Sequence, residues 1–223
     1  MFTVNDPVPA QDRLRVTEIF HSLQGEARDA GRPTVFVRLT GCPLRCVWCD
    51  TEYAFQGGQW WSIPGIVEEV AKYKTHHVCV TGGEPLAQKR CLDLLAALCD
   101  AGFAVSLETS GALDVGAVDA RVSRVMDLKA PDSGEAARNR WSNIAVLTAH
   151  DQVKFVLAGR ADYDWAVGVL REHALADRCE ILLSPVWGKL APRELAQWIL
   201  DDRLPVRMQV QLHKILWGEE RGK

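Results

Sequence analysis

Three cysteines close together constrain this chain more than any other feature. Cys42, Cys46 and Cys49 lie in Gly41-Cys42-Pro43-Leu44-Arg45-Cys46-Val47-Trp48-Cys49-Asp50-Thr51, directly after the apolar run Val35–Leu39. The spacing is Cys-x3-Cys-x2-Cys. Three thiolates supply three of the four ligands that a four-iron cluster needs. One iron is then open to bind and reduce a small molecule, which points to chemistry rather than electron storage. Zinc is the competing reading. It takes four ligands, usually with a second Cys or Cys-His pair nearby in sequence. None follows, and His76 and His77 reach the loop only if the chain folds back. A purely structural group of thiols is the third reading.

The remaining four cysteines read as packing residues, because free cysteine behaves as a small buried hydrophobe. Cys79 sits in the run Val78-Cys79-Val80, Cys91 and Cys99 flank leucines at helical spacing, and Cys179 precedes Ile181-Leu182-Leu183. An odd total of seven cysteines fits a reducing, cytoplasmic setting. Met1–Asp12 has neither a basic stretch nor an apolar core, so it does not read as a signal peptide. No apolar run approaches the roughly 20 residues of a membrane span. The net charge of -3 argues against a nucleic-acid or anionic-membrane partner. The 223 residues, 48% of them hydrophobic, suit one domain over 1–223 with a sizeable core.

Short apolar runs recur along the chain: Val35–Leu39, Val78–Val80, Ala104–Leu107, Val125–Leu128, Val153–Leu157, Ile181–Leu183 and Met208–Leu212, with a further strand beginning near Leu14. Between them lie helical patterns. Lys89–Ala101 is the clearest, ending at Gly102; Ser62 caps Ile63–Lys74; Arg160–Ala174, Pro192–Asp201 and the Gly-interrupted Ala112–Val122 follow. Ala130–Arg140 is polar and reads as a mobile loop beside the site. Strands alternating with helices predict an α/β fold with a largely parallel sheet. There are too few units for an eight-fold barrel, so a partial, incomplete βα barrel is expected. The cysteine loop, Gly82-Gly83, Ser110-Gly111, Lys129 and Pro185 all follow strand ends, the edge where parallel α/β folds carry their chemistry.

The cysteine loop, with an aromatic before its last cysteine, resembles the radical S-adenosylmethionine (SAM) superfamily. Thr81-Gly82-Gly83-Glu84-Pro85 is similar to that superfamily's Gly-Gly-Glu-Pro motif, which holds the amino group of SAM. Five further pieces narrow the resemblance: Ser22-Leu23-Gln24-Gly25-Glu26, Arg38, Cys49-Asp50-Thr51, Glu108-Thr109-Ser110-Gly111 and Gln211-Leu212-His213-Lys214. The set resembles the 7-carboxy-7-deazaguanine synthase family across almost the whole chain.

That resemblance implies a radical SAM fold and a lyase reaction. The reaction converts 6-carboxy-5,6,7,8-tetrahydropterin to 7-carboxy-7-deazaguanine with loss of ammonia, in 7-deazapurine (queuosine) biosynthesis. It implies a [4Fe-4S] cluster on Cys42, Cys46 and Cys49, SAM held by Trp48, Cys49, Asp50, Gly82, Gly83, Glu84, Asp127, Leu128 and Lys129, and Mg²⁺ on Thr51. Leu23, Gln24, Gly25, Glu26, Arg38, Thr81, Thr109 and His213 would meet the substrate. No side chain is expected to act as a separate catalytic residue, since the cofactor carries the radical chemistry. A flavodoxin-like electron donor and a homodimer are also implied.

Each of these residues has a plainer reading. Arg38 would pair with Glu18 or Glu26 rather than with a substrate carboxylate, His213 would be a core histidine, and Glu84-Pro85 would start a helix. Asp127-Leu128-Lys129 departs from the Ser-Pro-Lys of many relatives, and the chain continues past His213 to Lys223. Two other functions share the cysteine loop. A glycyl-radical activase would not need the Gln24, Arg38 and His213 set. A non-catalytic iron-sulfur protein would bind no SAM.

Overall fold

A computed structural model describes residues 13–223; the reading of Met1–Asp12 lies outside them. Among the described residues nine strands form one sheet: β1 (Arg13–Leu23), β2 (Pro33–Leu39), β3 (Gln59–Ser62), β4 (His77–Gly82), β5 (Ala104–Thr109), β6 (Ser123–Asp127), β7 (Gln152–Leu157), β8 (Glu180–Pro185) and β9 (Arg207–Met208). Their order is β3-β1-β2-β4-β5-β6-β7-β8-β9. From β2 through β9 every neighbouring pair is parallel, and β1 runs antiparallel to both β2 and β3. The sheet does not close, so the expected partial barrel holds.

The helices α1 (Ile63–Ala71), α2 (Cys91–Asp100), α3 (Arg160–Glu172) and α4 (Pro192–Asp201) follow their strands as the apolar spacing predicts. Ser62 caps α1 by accepting from the Gly65 N–H at 3.2 Å, and Pro64 is tolerated in the first turn, where no backbone donor is needed. One face of each helix is buried against the sheet: Ile63, Ile66 and Val70 on α1, and Cys91, Leu94, Leu95 and Leu98 on α2. Each fully buried leucine contributes on the order of 1.5–3 kcal/mol. Cys79, Cys91 and Cys179 are buried and Cys99 packs against the core, as their apolar neighbours suggest.

The structure differs from the sequence pattern in four places. Ala112–Val122 is not a helix. Asp114 accepts from the Gly116 N–H at 2.8 Å and Asp119 from the Arg121 N–H at 2.9 Å, local bonds that compete with the helical ladder. Ala130–Arg140 contains two single-turn 3₁₀ segments, Pro131–Ser133 and Ala136–Arg138, with Ser133 buried. The short strand β3 has no apolar alternation and carries the exposed Trp60. The run Met208–Leu212 yields only the last residue of β9; a short helix, α5 (Leu212–Trp217), starts where the strand was expected to end.

The antiparallel direction of β1 has a consequence for the site. Leu23 pairs with Pro33, at the end where β2 begins. The loop after β1 therefore crosses the base of the barrel, not its rim. Ala27 packs with Val125 of β6 and Leu182 of β8. The Arg28 N–H donates to Gln152 Oε1 at 2.6 Å, and its side chain pairs with Glu180 Oε2 at 3.1 Å. Gln152 and Glu180 are the first residues of β7 and β8, so residues 24–28 floor the barrel.

Candidate functional site

A cavity of about 230 Å³ lies between this floor and the rim where the parallel strands end. Eighteen of the predicted residues line it: Leu23, Gln24, Gly25 and Glu26 from the floor; Arg38, Thr81, Gly82, Gly83, Thr109, Asp127 and Lys129 from strand ends; Cys42, Cys46, Trp48, Cys49, Asp50 and Thr51 from the cysteine loop; and His213 from α5. Glu84 and Leu128 are absent from the wall. Leu128 is buried behind it and donates its N–H to Lys154 O.

The rim is fitted together by backbone contact. The Gly83 N–H donates to Leu39 O at 3.2 Å and the Glu84 N–H to Gly41 O at 2.8 Å, which sews the end of β4 to the start of the cysteine loop. Gly82 has φ +154°, and a methyl group on it would strike Leu39 O. One on Gly83 would meet Gly41 O and come within 2.7 Å of Cys42 Cβ. Only glycine permits this approach. On the far side of the loop, the Val47 N–H donates to Ser133 O at 3.0 Å and the Arg45 N–H to Glu135 Oε1 at 2.5 Å.

Glu84 is fully buried and acts inside the protein. Its carboxylate accepts from Thr109 Oγ1 at 2.9 and 3.0 Å, from the Ser110 N–H at 2.7 Å and from Ser110 Oγ at 2.5 Å. It also accepts from the Leu86 N–H, capping the turn Pro85–Ala87. Glu84 thus ties the end of β5 to the Gly-Gly turn.

Charged side chains meet inside the barrel. Arg38 Nε donates to Glu18 Oε1 at 2.7 Å, its direct cross-strand neighbour, and the guanidinium lies against the rings of Phe20 and Tyr53. The plainer pairing expected for Arg38 is therefore present, with Glu18 and not Glu26. Burial pushes the Tyr53 phenol up to about 12 against the pull of Arg38, so it remains a donor to Glu18 at 2.8 Å. Lys129 Nζ bonds Asp127 Oδ2 at 3.0 Å. Burial opposes both charges, yet their attraction wins: Asp127 is lowered and Lys129 raised. Thr81 Oγ1 donates to Glu108 Oε2 at 2.9 Å, and Gln24 Nε2 to Glu108 Oε1 at 3.3 Å. Thr51 Oγ1 donates to Asp50 Oδ1 at 2.7 Å, and His213 Nε2 stands 3.9 Å from Asp50 Oδ2.

A Radical SAM superfamily profile matches residues 36–173. The 7-carboxy-7-deazaguanine synthase of Chlorobaculum tepidum is 45% identical over 210 residues, covering 93% of this chain and 96% of the relative. That of Koribacter versatilis is 41% identical over 222 residues, covering 93% and 98%. The chain belongs to the 7-carboxy-7-deazaguanine synthase family. It is a radical SAM enzyme, and that superfamily works with a [4Fe-4S] cluster and SAM. QueE from Escherichia coli shares the fold, with a TM-score of 0.76 at 22% identity over 90% of this chain and 95% of that one.

The three thiols of this synthase-family cavity suit such a cluster. Burial pushes each of Cys42, Cys46 and Cys49 above its ordinary pKa, so thiolates there need a cationic partner, which iron supplies. Among the described residues no three His, Cys, Asp or Glu side chains converge on a point where one ion would bind. A cubane does not require that convergence, since each thiolate takes a different iron.

Among the wall residues not foreseen from the sequence are the charged Glu108 and Lys154. Glu108 was visible only as the neighbour of Thr109. Lys154 interrupts the apolar run Val153–Leu157, and a charge inside a buried strand was the available signal.

Replacing Gly83 with alanine should force the Gly-Gly turn away from the cysteine loop. We expect a stability loss of about 1–3 kcal/mol, as for other overpacked sites, together with a lower iron-to-protein ratio after anaerobic reconstitution. A Gly83→Ala protein with full iron and unchanged denaturant midpoint would show that the loop has slack.

Proposed function

We propose that this enzyme converts 6-carboxy-5,6,7,8-tetrahydropterin to 7-carboxy-7-deazaguanine with loss of ammonia. One observation carries the reading. The cavity that holds the three thiols also holds a polar set suited to a small carboxylated heterocycle: Gln24 and Glu26 on the floor, Arg38 on the wall and His213 beside Gly25. A glycyl-radical activase would have no use for that set. The identities of 40% and above to synthases over nearly the whole chain support the same reading.

When bound, the reduced cluster and SAM supply a hydrogen-abstracting carbon radical. The chain's own residues bind, orient and exclude water. Cys42, Cys46 and Cys49 would hold the cluster. Trp48, Asp50, Gly82, Gly83, Asp127 and Lys129 would surround SAM. Glu84 would serve indirectly, by fixing the Thr109–Ser110 turn, and Leu128 through its backbone. Leu23, Gly25, Thr81 and Thr109 would complete the substrate wall. Thr51 Oγ1 beside the Asp50 carboxylate presents the hard oxygen donors that Mg²⁺ prefers. No helix among the described residues is long and apolar enough to cross a membrane. The reading also takes a cytoplasmic homodimer, a flavodoxin-like electron donor and no nucleic-acid partner; light scattering and donor titration check the first and second.

The direct test is to supply the anaerobically reconstituted protein with the tetrahydropterin and SAM. Product should form, and Cys46→Ala should abolish both it and SAM cleavage, while alanine at Cys79, Cys91, Cys99 or Cys179 leaves cluster iron in place. Product from Cys46→Ala would sink the cluster assignment. Thr51→Ala should blunt the Mg²⁺ response of turnover more than SAM affinity; an unchanged response moves the metal elsewhere. For Arg38→Lys we expect substrate affinity to fall by about 2–5 kcal/mol, or roughly 30- to 5000-fold, because lysine cannot reproduce a two-point grip on a carboxylate. Equal affinity would leave Arg38 as the partner of Glu18 alone.

A further inference from the structure

The substrate reading leaves one buried cation of the cavity without a part. Lys154 stands third in β7, between the fully buried Val153 and Phe155. Its ammonium contacts Glu26 Oε2 and lies 3.6 Å from Asp127 Oδ2. Burial alone would lower its pKa, but the carboxylates of Asp127, Glu26 and Glu108 outweigh that and hold it well above the ordinary lysine value. Such a pair is weak evidence for a role in stability, since exchanging a buried ion pair for packed apolar residues is often neutral or favourable.

What the lysine does is visible at its partner. Glu26 is buried, yet it faces the cavity from the floor. Its Oε2 is taken by Lys154, and its Oε1 accepts from Gln211 Nε2 at 2.9 Å. Both carboxylate oxygens therefore have a fixed partner. A carboxylate offers roughly four acceptor sites, so two remain for donors arriving from the cavity. The aminopyrimidinone edge of a pterin presents two parallel N–H donors of that kind.

We propose that Lys154 is the positioning residue for Glu26, holding its carboxylate in the orientation that accepts the substrate's aminopyrimidinone N–H pair, and that it thereby sets selectivity for that edge. This rests on the substrate reading above. Lys154 acts through Glu26. Its second neighbour, Asp127, ends β6 on the cofactor side, so the same ammonium fixes the floor relative to the rim. A site of this type rejects analogues that lack the donor, because its buried acceptor is left unpaired.

The test is a mutant cycle on the anaerobic holoenzyme with SAM. The tetrahydropterin is titrated by calorimetry into wild type, Lys154→Met, Glu26→Gln and the double variant, each matched for iron. Lys154→Met should weaken binding about 10-fold or more, and the double variant should be no weaker than the worse single one. Lys154→Met should also lose discrimination against the analogue lacking the 2-amino group, which a general loosening of the barrel would not change. Lys154→Arg should recover part of the affinity. Unchanged affinity in Lys154→Met, or losses that multiply in the double variant, would overturn the role of Lys154. No binding to wild type would overturn the substrate reading and this inference with it. If Lys154→Met does not fold, Lys154→Gln replaces it in the same cycle.

Discussion

A single carboxylate at the base of the barrel joins three distant parts of this chain. Glu26 comes from the loop after β1, Lys154 from β7 and Gln211 from the segment before α5. Two more bonds follow the same path, from the Ala27 N–H to Gln209 Oε1 at 2.9 Å and from the Leu212 N–H to Gly25 O at 3.0 Å. The floor is therefore held from within the barrel and from the C-terminal segment together. Each bond is modest alone, but a buried polar network is costly when half made. That cost gives the floor one arrangement and leaves the cavity above it with a defined depth.

The rim follows a different logic. Its geometry is set by close backbone approach, with Gly82 and Gly83 against Leu39, Gly41 and Cys42. No side chain could stand in for that contact. Glu84 then links the Gly-Gly turn to Thr109 and Ser110, so two strand ends and the cysteine loop form one connected piece. The loop is braced from its other side by Ser133 and Glu135. A cluster and a large cofactor at this rim would meet a surface positioned mainly by main chain.

Acidic and basic groups meet around the cavity: Glu108, Asp127 and Glu26 with Lys129 and Lys154, and Arg38 backed by Glu18. Such charges cost free energy to bury. Their near balance lets a substrate that carries both a carboxylate and N–H donors bind by taking up unused sites. Arg38 is the informative case. Glu18 occupies its Nε, while the guanidinium lies near the rings of Phe20 and Tyr53. Pairing with Glu18 and contact with a ligand are thus compatible roles for a five-donor group.

Much of this was legible in the residue order. The Cys-x3-Cys-x2-Cys loop, the Gly-Gly-Glu-Pro turn, the parallel strands and four of the five helices rest on local pattern: ligand spacing, apolar periodicity and capping at Ser62. Local chemistry also misled where it competed with pattern, as when Asp114 and Asp119 drew backbone N–H groups out of the expected helix over Ala112–Val122. The sequence by itself determined which groups the site contains, because residue type and short spacing fix chemistry within a loop. Only the tertiary structure decided where those groups face. The antiparallel β1 sends Gln24–Glu26 across the base of the barrel, Glu18 reaches Arg38 across the strand pair, and Lys154 meets Glu26 at a separation of 128 residues. Those meetings depend on strand direction and sheet order, which no local run of residues records.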